Sequence, residues 1–550
     1  MPRTSATSSP VPTQPVRLTG WGRIAPSRAD LAAPASDAEA VALLQYLATP
    51  PTSKSGTAIP RGLGRSYNNA AQSADGIVIS SGKLNNIISF DHDTGVVEAE
   101  AGVSLEQLMV AGLPHGWFVP VSPGTRQVSI GGALAADVHG KNHHVAGSFA
   151  SHVTSFDILF PSAEQGAPHT VTRESDPELF WATAGGMGLT GFITRATIQL
   201  KRVESSLVAV DTVKTKDIDE TMAVLAEHDT KYGYTVAWSD DLARGKHLGR
   251  SIITSGDFAT LADLNDRQRH DPFAFDPRAR LAAPKVFPPG LLNRYSIRLA
   301  NTAWYLKAPR HREHELQTIS QFFHPLDGIR NWNYAYGPGG FRQYQYVMPF
   351  GAEAAVRKSF ELVSAQHAPS FVTVLKRFGK ADPGLLSFPT AGWTLALDFP
   401  ARTRGLGPLL DELDKLVVAN GGRVYLAKDS RVSAATLEEM YPRLPEFRKL
   451  RSVLDPAGVL VSDLSRRLNL LRQEHRHDAP AVRLQRRRWR YFLPTLRPKT
   501  NFSVGTLGRV VVPSCAVPVR LVTAGIAKYW KVMVVSPLCW PGSTSKIEYP

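Results

Sequence analysis

Two glycine-rich segments hold the residue types from which an anion site is built. Residues 122–144 read Ser-Pro-Gly-Thr-Arg-Gln-Val-Ser-Ile-Gly-Gly-Ala-Leu-Ala-Ala-Asp-Val-His-Gly-Lys-Asn-His-His, and residues 60–67 read Pro-Arg-Gly-Leu-Gly-Arg-Ser-Tyr. Gly124, Gly131 and Gly132 strip side chains from backbone that passes close to a partner, and Ser122, Thr125 and Ser129 add hydroxyls. Where Cβ atoms are absent, successive N–H groups converge on an anion, and such nests hold phosphate without needing a helix. Two nests suit a ligand with two phosphates, such as a dinucleotide. The plainer alternative is two tight turns, because glycine marks turns more often than ligands. His139 and His143 have the spacing of a metal-binding helix face, with His144 beside them. No carboxylate or cysteine accompanies them in a familiar ligand pattern, so no metal is expected.

The elements around these segments read as a mixed α+β chain. Ala38 to Leu47 has helical periodicity behind the capping pair Ser36 and Asp37, and Ser104 to Val110 is a short helix opened by a hydroxyl. Strand-like runs occur at residues 76–80, 87–90, 95–100, 156–160 and 192–200. From Leu207 a second block begins, with a strand at 207–212 and a helix at 217–227. Residues 271–298 lack periodicity and read as a surface loop. Three runs, at 344–348, 371–375 and 393–399, read as strands with one wet face. Helices at 407–420 and 434–441 flank a strand at 423–427. Gly186-Met-Gly-Leu-Thr-Gly191 matches the dinucleotide fingerprint by letter, but a helix precedes it and a strand follows, the reverse of what a Rossmann turn requires.

At 550 residues, 43% hydrophobic and 20% charged, the chain is a folded protein of two or more domains. Cys515 and Cys539 are its only cysteines, so the first 514 residues contain no disulfide and no thiolate metal site. The net charge of +15 suggests nucleic acid or an anionic membrane until its distribution is considered. Residues 472–550 carry ten Arg and four Lys against three carboxylates, so eleven of the fifteen charges belong to that tail. The body is nearly balanced, which argues against a nucleic-acid binder. No signal peptide is expected: residues 1–15 are Ser/Thr/Pro-rich and read as disordered. The most apolar part of the tail, 510–527, is interrupted by Pro513, Pro518 and Arg520 and falls short of a spanning helix.

Arg61-Gly-Leu-Gly-Arg-Ser-Tyr67, Pro123-Gly-Thr125, Gly131-Gly132 and Gly185-Gly-Met-Gly188 resemble the flavin domain of the vanillyl-alcohol oxidase superfamily of FAD-linked oxidoreductases. Further motifs are similar to the branch of that superfamily that oxidises a polyprenyl-phosphate-linked ribose. These are Gly20-Trp-Gly-Arg23, His139-Gly-Lys-Asn-His-His144, Phe323-His-Pro-Leu-Asp327, Tyr336-Gly-Pro338, Gln343-Tyr-Gln-Tyr346, Leu386-Ser-Phe-Pro389 and Ala427-Lys-Asp-Ser-Arg431. The resemblance spans about Arg17 to Leu471. It implies an α+β, two-domain FAD-binding fold (vanillyl-alcohol oxidase type, PCMH-like) with an antiparallel-sheet substrate domain. By it, residues 16–205 bind FAD, 206–422 bind substrate, and 423–471 return to the FAD domain, leaving 472–550 as a non-homologous, disordered basic tail.

The resemblance further implies non-covalent FAD touching Arg61, Gly62, Leu63, Gly64, Arg65, Ser66, Tyr67 and Asn68 in the first segment. In the second it implies Gly124, Thr125, Ser129, Ile130, Gly131, Gly132, Ala136, Asp137, Val138 and His139, with Ile193 and Tyr425 completing the set. Lys428 is the expected proton acceptor, with Tyr67 and His139 orienting the hydroxyl; a salt bridge from Lys428 to Asp429 is the plainer alternative. Lys376 and Lys141 would face phosphate, and Gln343 and Gln345 polar groups of the substrate. Implied partners are the polyprenyl-phosphate-linked ribose, an NADH-dependent 2-keto reductase and a membrane surface, with no nucleic acid. The implied location is peripheral, at the cell envelope on its periplasmic face, although the chain itself leaves the cytoplasmic side open. Ala396 occupies the position of a reactive cysteine in mycobacterial members. Rival readings are an oxygen-using sugar or aldonolactone oxidase of the same superfamily, and a basic binder without catalysis.

Overall fold

Local hydrogen-bonding rules place the helices. Ser36 accepts from the Glu39 amide to open Asp37–Ala48, and Ser104 and Gln107 cap each other reciprocally at the start of Leu105–Gly112. Ser129 caps Ile130–Ala135 by accepting from Gly132. In this computed structural model residues 9–49, 56–162, 164, 166–286 and 290–471 are described. The expected basic tail at 472–550 lies outside them.

Three sheets organise the described residues. The first has four strands in the order Thr13–Leu18, Ser27–Ala32, Ile77–Ser80 and Ala58–Arg61. Disorder over residues 1–15 is corrected for its last part: Thr13–Leu18 pairs antiparallel with Ser27–Ala32, and Val11 is buried in the same core as Ala32 and Leu44. The second sheet is antiparallel throughout, in the order Ile87–Phe90, Val96–Glu100, Phe192–Gln199, Val153–Leu159, His169–Thr172. The third has eight strands: His311–Thr318, Leu207–Thr215, Ser251–Phe258, Tyr234–Ser239, Thr373–Phe378, Gly392–Pro400, Phe341–Pro349 and Arg423–Val424.

Helices Glu353–Gln366 and Leu406–Ala419 cover one face of the large sheet. Tyr346 donates to Ser359 on the first and Tyr344 to Asp414 on the second. The expectation of a wet opposite face fails at Phe341–Pro349 and Gly392–Pro400, whose residues are almost all buried. Their second face carries Gln343, Gln345, Thr394 and Asp398 and is closed by residues from the first 150, through contacts such as Gln345 to His139. Polar side chains on that face are therefore interior and need partners.

The segment 271–298 is not a featureless loop. Leu281–Ala282 pairs with Ile329–Arg330, and the helix Arg294–Lys307 begins at the capping residue Asn293. The strand expected at 423–427 is limited to Arg423–Val424, at the edge of the large sheet; Tyr425 then accepts from the Lys428 and Asp429 amides in a tight turn. The chain rejoins the first sheet later, where Ala58 donates to Val459 and accepts from Val461.

Candidate active site

The first glycine segment forms an arc of unspent donors. The amides of Gly62, Leu63, Gly64, Arg65 and Ser66 donate to no group among the described residues. Gly64 has φ +66°, and a Cβ there would meet the Arg61 guanidinium at 2.4 Å. Gly62 faces the second segment, with its Cβ position 2.0 Å from Ser129 Oγ and 3.9 Å from the Gly132 amide. The two segments therefore line one cradle that only a glycine at 62 leaves open.

In the second segment the structure corrects one expectation. The amides of Ile130 and Gly131 donate to the Val103 and Ala101 carbonyls and do not point into a nest. The amides of Gly124 and Thr125 are among those of this segment that donate to no described residue, and nothing lies within 4 Å of a Cβ at Gly124. The hydroxyls also turn inward. Ser122 Oγ meets His324 Nε2 at 2.7 Å, Thr125 donates to Asp327 (2.8 Å), and Ser129 is a helix cap. Asp327 also accepts from the Arg126 amide, so residues 324–327 buttress the turn from across the chain. Sequence reasoning assigned them no role, because the contact spans 202 residues.

Other expected cofactor residues are tied as follows. Arg61 is spent on the carbonyls of Ala71 and Thr19. Asn68 donates to Leu426 and Asp429 carbonyls, and the Tyr67 amide to Ala427, which fixes the turn bearing Lys428. Arg65 lies over the Trp21 ring (4.0 Å), and Leu63 is 41% exposed. Tyr425 donates to the Ala136 carbonyl (2.7 Å) and stacks on Phe388. Asp137 accepts from Ser387, and burial beside Asp382 pushes its carboxyl well above the usual range. Val138 and Ile193 are buried in the core of the second sheet.

The reactive groups converge beyond this cradle. Lys428 Nζ sits 3.6 Å from the centre of the Tyr67 ring, and that ring meets Phe341 edge-on. The Lys428–Asp429 salt bridge does not form, because Asp429 is taken by Arg467 (2.7 Å) and by the amides of Arg431 and Val432. Burial lowers the Lys428 pKa; the Asp398 carboxylate opposes this and the Lys376 ammonium reinforces it. Burial likewise pushes Asp398 up, against the hydrogen bond it accepts from Gln343 and the charge of Lys428. Burial brings Lys376 down to about 8 and, with Lys376 adding repulsion, Lys141 down to about 7. Lys376 reaches the Gly140 carbonyl (3.4 Å), and Lys141 donates to Phe322 while lying over its ring.

His139 is packed between Phe378, Phe388 and Tyr425, and its Nε2 meets the Gln345 amide at 3.0 Å. Burial, helped by the Lys376 charge, keeps its imidazole neutral. His143 accepts from the Gly379 amide and His144 meets the Tyr232 carbonyl, so the three histidines serve three separate contacts. Two site residues had no role expected of them from the sequence. Asp398 reaches the site through its register with Gln343, 55 residues earlier. Tyr336 stacks on Phe341 with its hydroxyl buried and unpartnered, close enough to feel Asp398 and Tyr67.

The residues present fit FAD. The arc at 62–66 and the pair at 124–125 supply donors for a pyrophosphate, and the buried polar atoms Arg65 Nε, His139 Nδ1, Asn142 Oδ1 and Gln343 Oε1 have no partner among the described residues. A donor cradle on one lobe beside a lysine-bearing sheet on the other defines a FAD-linked oxidoreductase of the vanillyl-alcohol oxidase type. In agreement, residues 30–165 match the FAD binding domain family and residues 401–468 the D-arabinono-1,4-lactone oxidase family. The chain is 43% identical over 461 residues to decaprenylphosphoryl-β-D-ribose oxidase of Mycolicibacterium smegmatis, covering 84% of this chain and 99% of that one. It is 42% identical over 378 residues to an uncharacterised Streptomyces coelicolor protein, covering 67% of this chain and all of the other. L-gulonolactone oxidase 3 of Arabidopsis thaliana is 25% identical over 170 residues, 30% of this chain and 28% of that one. The chain belongs to the decaprenylphosphoryl-β-D-ribose oxidase family.

Proposed function

We propose that this protein oxidises the 2′-hydroxyl of decaprenylphosphoryl-β-D-ribose to the 2′-keto sugar, the first half of an epimerisation towards arabinose for cell-wall arabinan. The observation that carries the reading is a buried row of three lysines, Lys141 near Lys376 and Lys376 near Lys428, which ends with Lys428 beside the Asp398 carboxylate and over Tyr67, the residue that follows the 62–66 arc. Such a group attracts a phosphate monoanion or diester and keeps one amine close to neutrality.

In this reading Lys428 Nζ takes the proton of the 2′-hydroxyl, which Tyr67 and His139 orient. Lys376 and Lys141 face the phosphate, and Gln343 and Gln345 hold sugar hydroxyls. FAD is held without a covalent link by residues 61–68, 124–125, 129–132 and 136–139, with Ile193 and Tyr425. Bound FAD supplies a hydride acceptor. The phenol of Tyr67, raised by burial and by Asp398, stays protonated and can donate to the sugar. A separate NADH-dependent reductase would return the keto sugar in the arabino configuration. The substrate is a lipid, so the protein works at a membrane face of the cell envelope. No helix among the described residues is long and apolar enough to cross a bilayer.

The match of residues 401–468 to D-arabinono-1,4-lactone oxidase favours a second reading, an aldonolactone oxidase using oxygen. Product analysis separates the two. Lipid-linked ribose with an artificial electron acceptor should lose H2 from the sugar, read by mass spectrometry. Peroxide formation from the lactone, with the lipid-linked ribose left untouched, would reject the first reading.

A further inference from the structure

Half of the exposed large apolar side chains of the described residues lie between Leu281 and Leu306. The helix Arg294–Lys307 concentrates them. Tyr295, Leu299 and Leu306, at positions i, i+4 and i+11, are 69%, 73% and 68% exposed and form one stripe. The face turned to the protein is the more polar one. Beside the buried Ile297, Asn301 donates to Asp240 (3.0 Å) and Tyr305 to the Thr215 carbonyl (3.0 Å). A helix that only packs on a core does the reverse.

Charge identifies what would cover the stripe. From Lys285 to Arg312 the chain carries Lys285, Arg294, Arg298, Lys307, Arg310 and Arg312 and no carboxylate. Tyr and Leu on one face, with Arg298 and Lys307 on either side of it, suit the headgroup layer of an anionic bilayer. The position suits it too. A groove of about 600 Å³ opens beside the start of this helix, with Asn293 and Arg294 in one wall and Arg402 in another. Tyr336 lines its inner side, stacked on Phe341 (4.1 Å between ring centres), which touches the Tyr67 ring beneath Lys428.

We propose that the helix Arg294–Lys307 is the surface by which this protein docks on anionic membranes, with the groove beside it facing the lipid. The proposal rests on the lipid-linked substrate of the preceding reading only for the relevance of a bilayer. Flotation of the full-length holoenzyme with phosphatidylcholine vesicles, and with equal parts phosphatidylcholine and phosphatidylglycerol, tests it. The wild type should float with the anionic vesicles and less so at high salt. Replacing Tyr295, Leu299 and Leu306 together by Ser should lower partitioning about tenfold or more. Arg298→Glu with Lys307→Glu should lower it on the anionic vesicles alone. The basic tail is present in every protein compared, so its contribution cancels.

Each variant should keep its flavin absorbance and oxidise a short-chain, water-soluble ribosyl phosphate at the wild-type rate. Failure of the wild type on that soluble substrate would count against the oxidase reading and leave docking standing. Unchanged flotation of the Ser variant overturns the docking proposal. So does a wild-type dimer, by light scattering, that the Ser variant converts to monomers, because the stripe would then be covered by a second copy.

Discussion

Gly62→Ala should abolish most FAD affinity while leaving a folded protein. Its Cβ would fall 2.0 Å from Ser129 Oγ, where ordinary contact begins at 3.4 Å, so the two segments must part by about 1.4 Å or Ser129 must rotate away. Rotation gives up the cap on Ile130–Ala135, which costs about 1 kcal/mol. Forcing the segments apart costs about 1–3 kcal/mol, the usual range for overpacking. Either route costs about 1–3 kcal/mol, or about 5- to 150-fold weaker binding. Titrating apoprotein with FAD and following flavin fluorescence measures it. A second substitution makes the argument strict: Ser129→Ala removes the clashing oxygen, so Gly62→Ala/Ser129→Ala should bind more tightly than Gly62→Ala alone. That is a non-additivity expected only of groups in contact. If Gly62→Ala binds FAD within about threefold of wild type, or if the second change gives no recovery, the shared cradle is not where the cofactor binds.

Charge substitutions should displace the acid limb of the kcat/KM profile in opposite directions. In the proposed mechanism Lys428 acts as the neutral amine, so activity should fall below its depressed pKa. Asp398→Asn removes the carboxylate that favours the ammonium and should move the limb to lower pH. Lys376→Met removes a like charge, should move it to higher pH, and should also raise KM for the phosphate-bearing substrate. A shift of both in one direction would mean that Lys428 is not the titrating group. Asp455→Ala should destabilise the fold by about 3–5 kcal/mol, read from the urea midpoint, by leaving Arg451 a buried charge without its 2.6 Å partner. The amides of Val459 and Leu460 lose their acceptor in the same change, where the chain rejoins Ala58. Thiol-directed compounds should leave residues 390–400 unmodified by mass spectrometry, and Ala396→Cys should make that strand reactive, since Ala396 pairs with Gln345 on the site face.

What could be read from the sequence was local. Hydroxyl caps at Ser36 and Ser104 and the alternation of residues 192–200 announce their elements, because capping and pleating act within a few residues. The glycines at 62 and 64 were legible as a cradle for the same reason. The Gly131 amide was misread as part of a nest because its acceptor, the Ala101 carbonyl, comes from another segment. The second buried face of Phe341–Pro349 was hidden because its residues alternate with polar Gln343 and Gln345, the usual mark of a wet face; only the approach of His139 closes it. Asp398 and Tyr336 gave no local signal, since strand register and a ring stack bring them to Lys428. The helix Arg294–Lys307 was missed because its leucines face outward and its inner face holds Asn301, the inverse of the pattern by which helices are recognised.

In the proposed mechanism Lys428 accepts the sugar proton next to a flavin held in the glycine cradle. The most direct test is anaerobic, single-turnover mixing of the FAD-loaded protein with decaprenylphosphoryl-β-D-ribose, recording the flavin absorbance for wild type and Lys428→Met. Wild type should bleach in one phase, while Lys428→Met, with FAD still bound, should bleach about 100-fold or more slowly, as loss of a general base requires. Equal bleaching rates in the two proteins, or a wild-type flavin that stays oxidised with the ribosyl lipid present, would contradict the account.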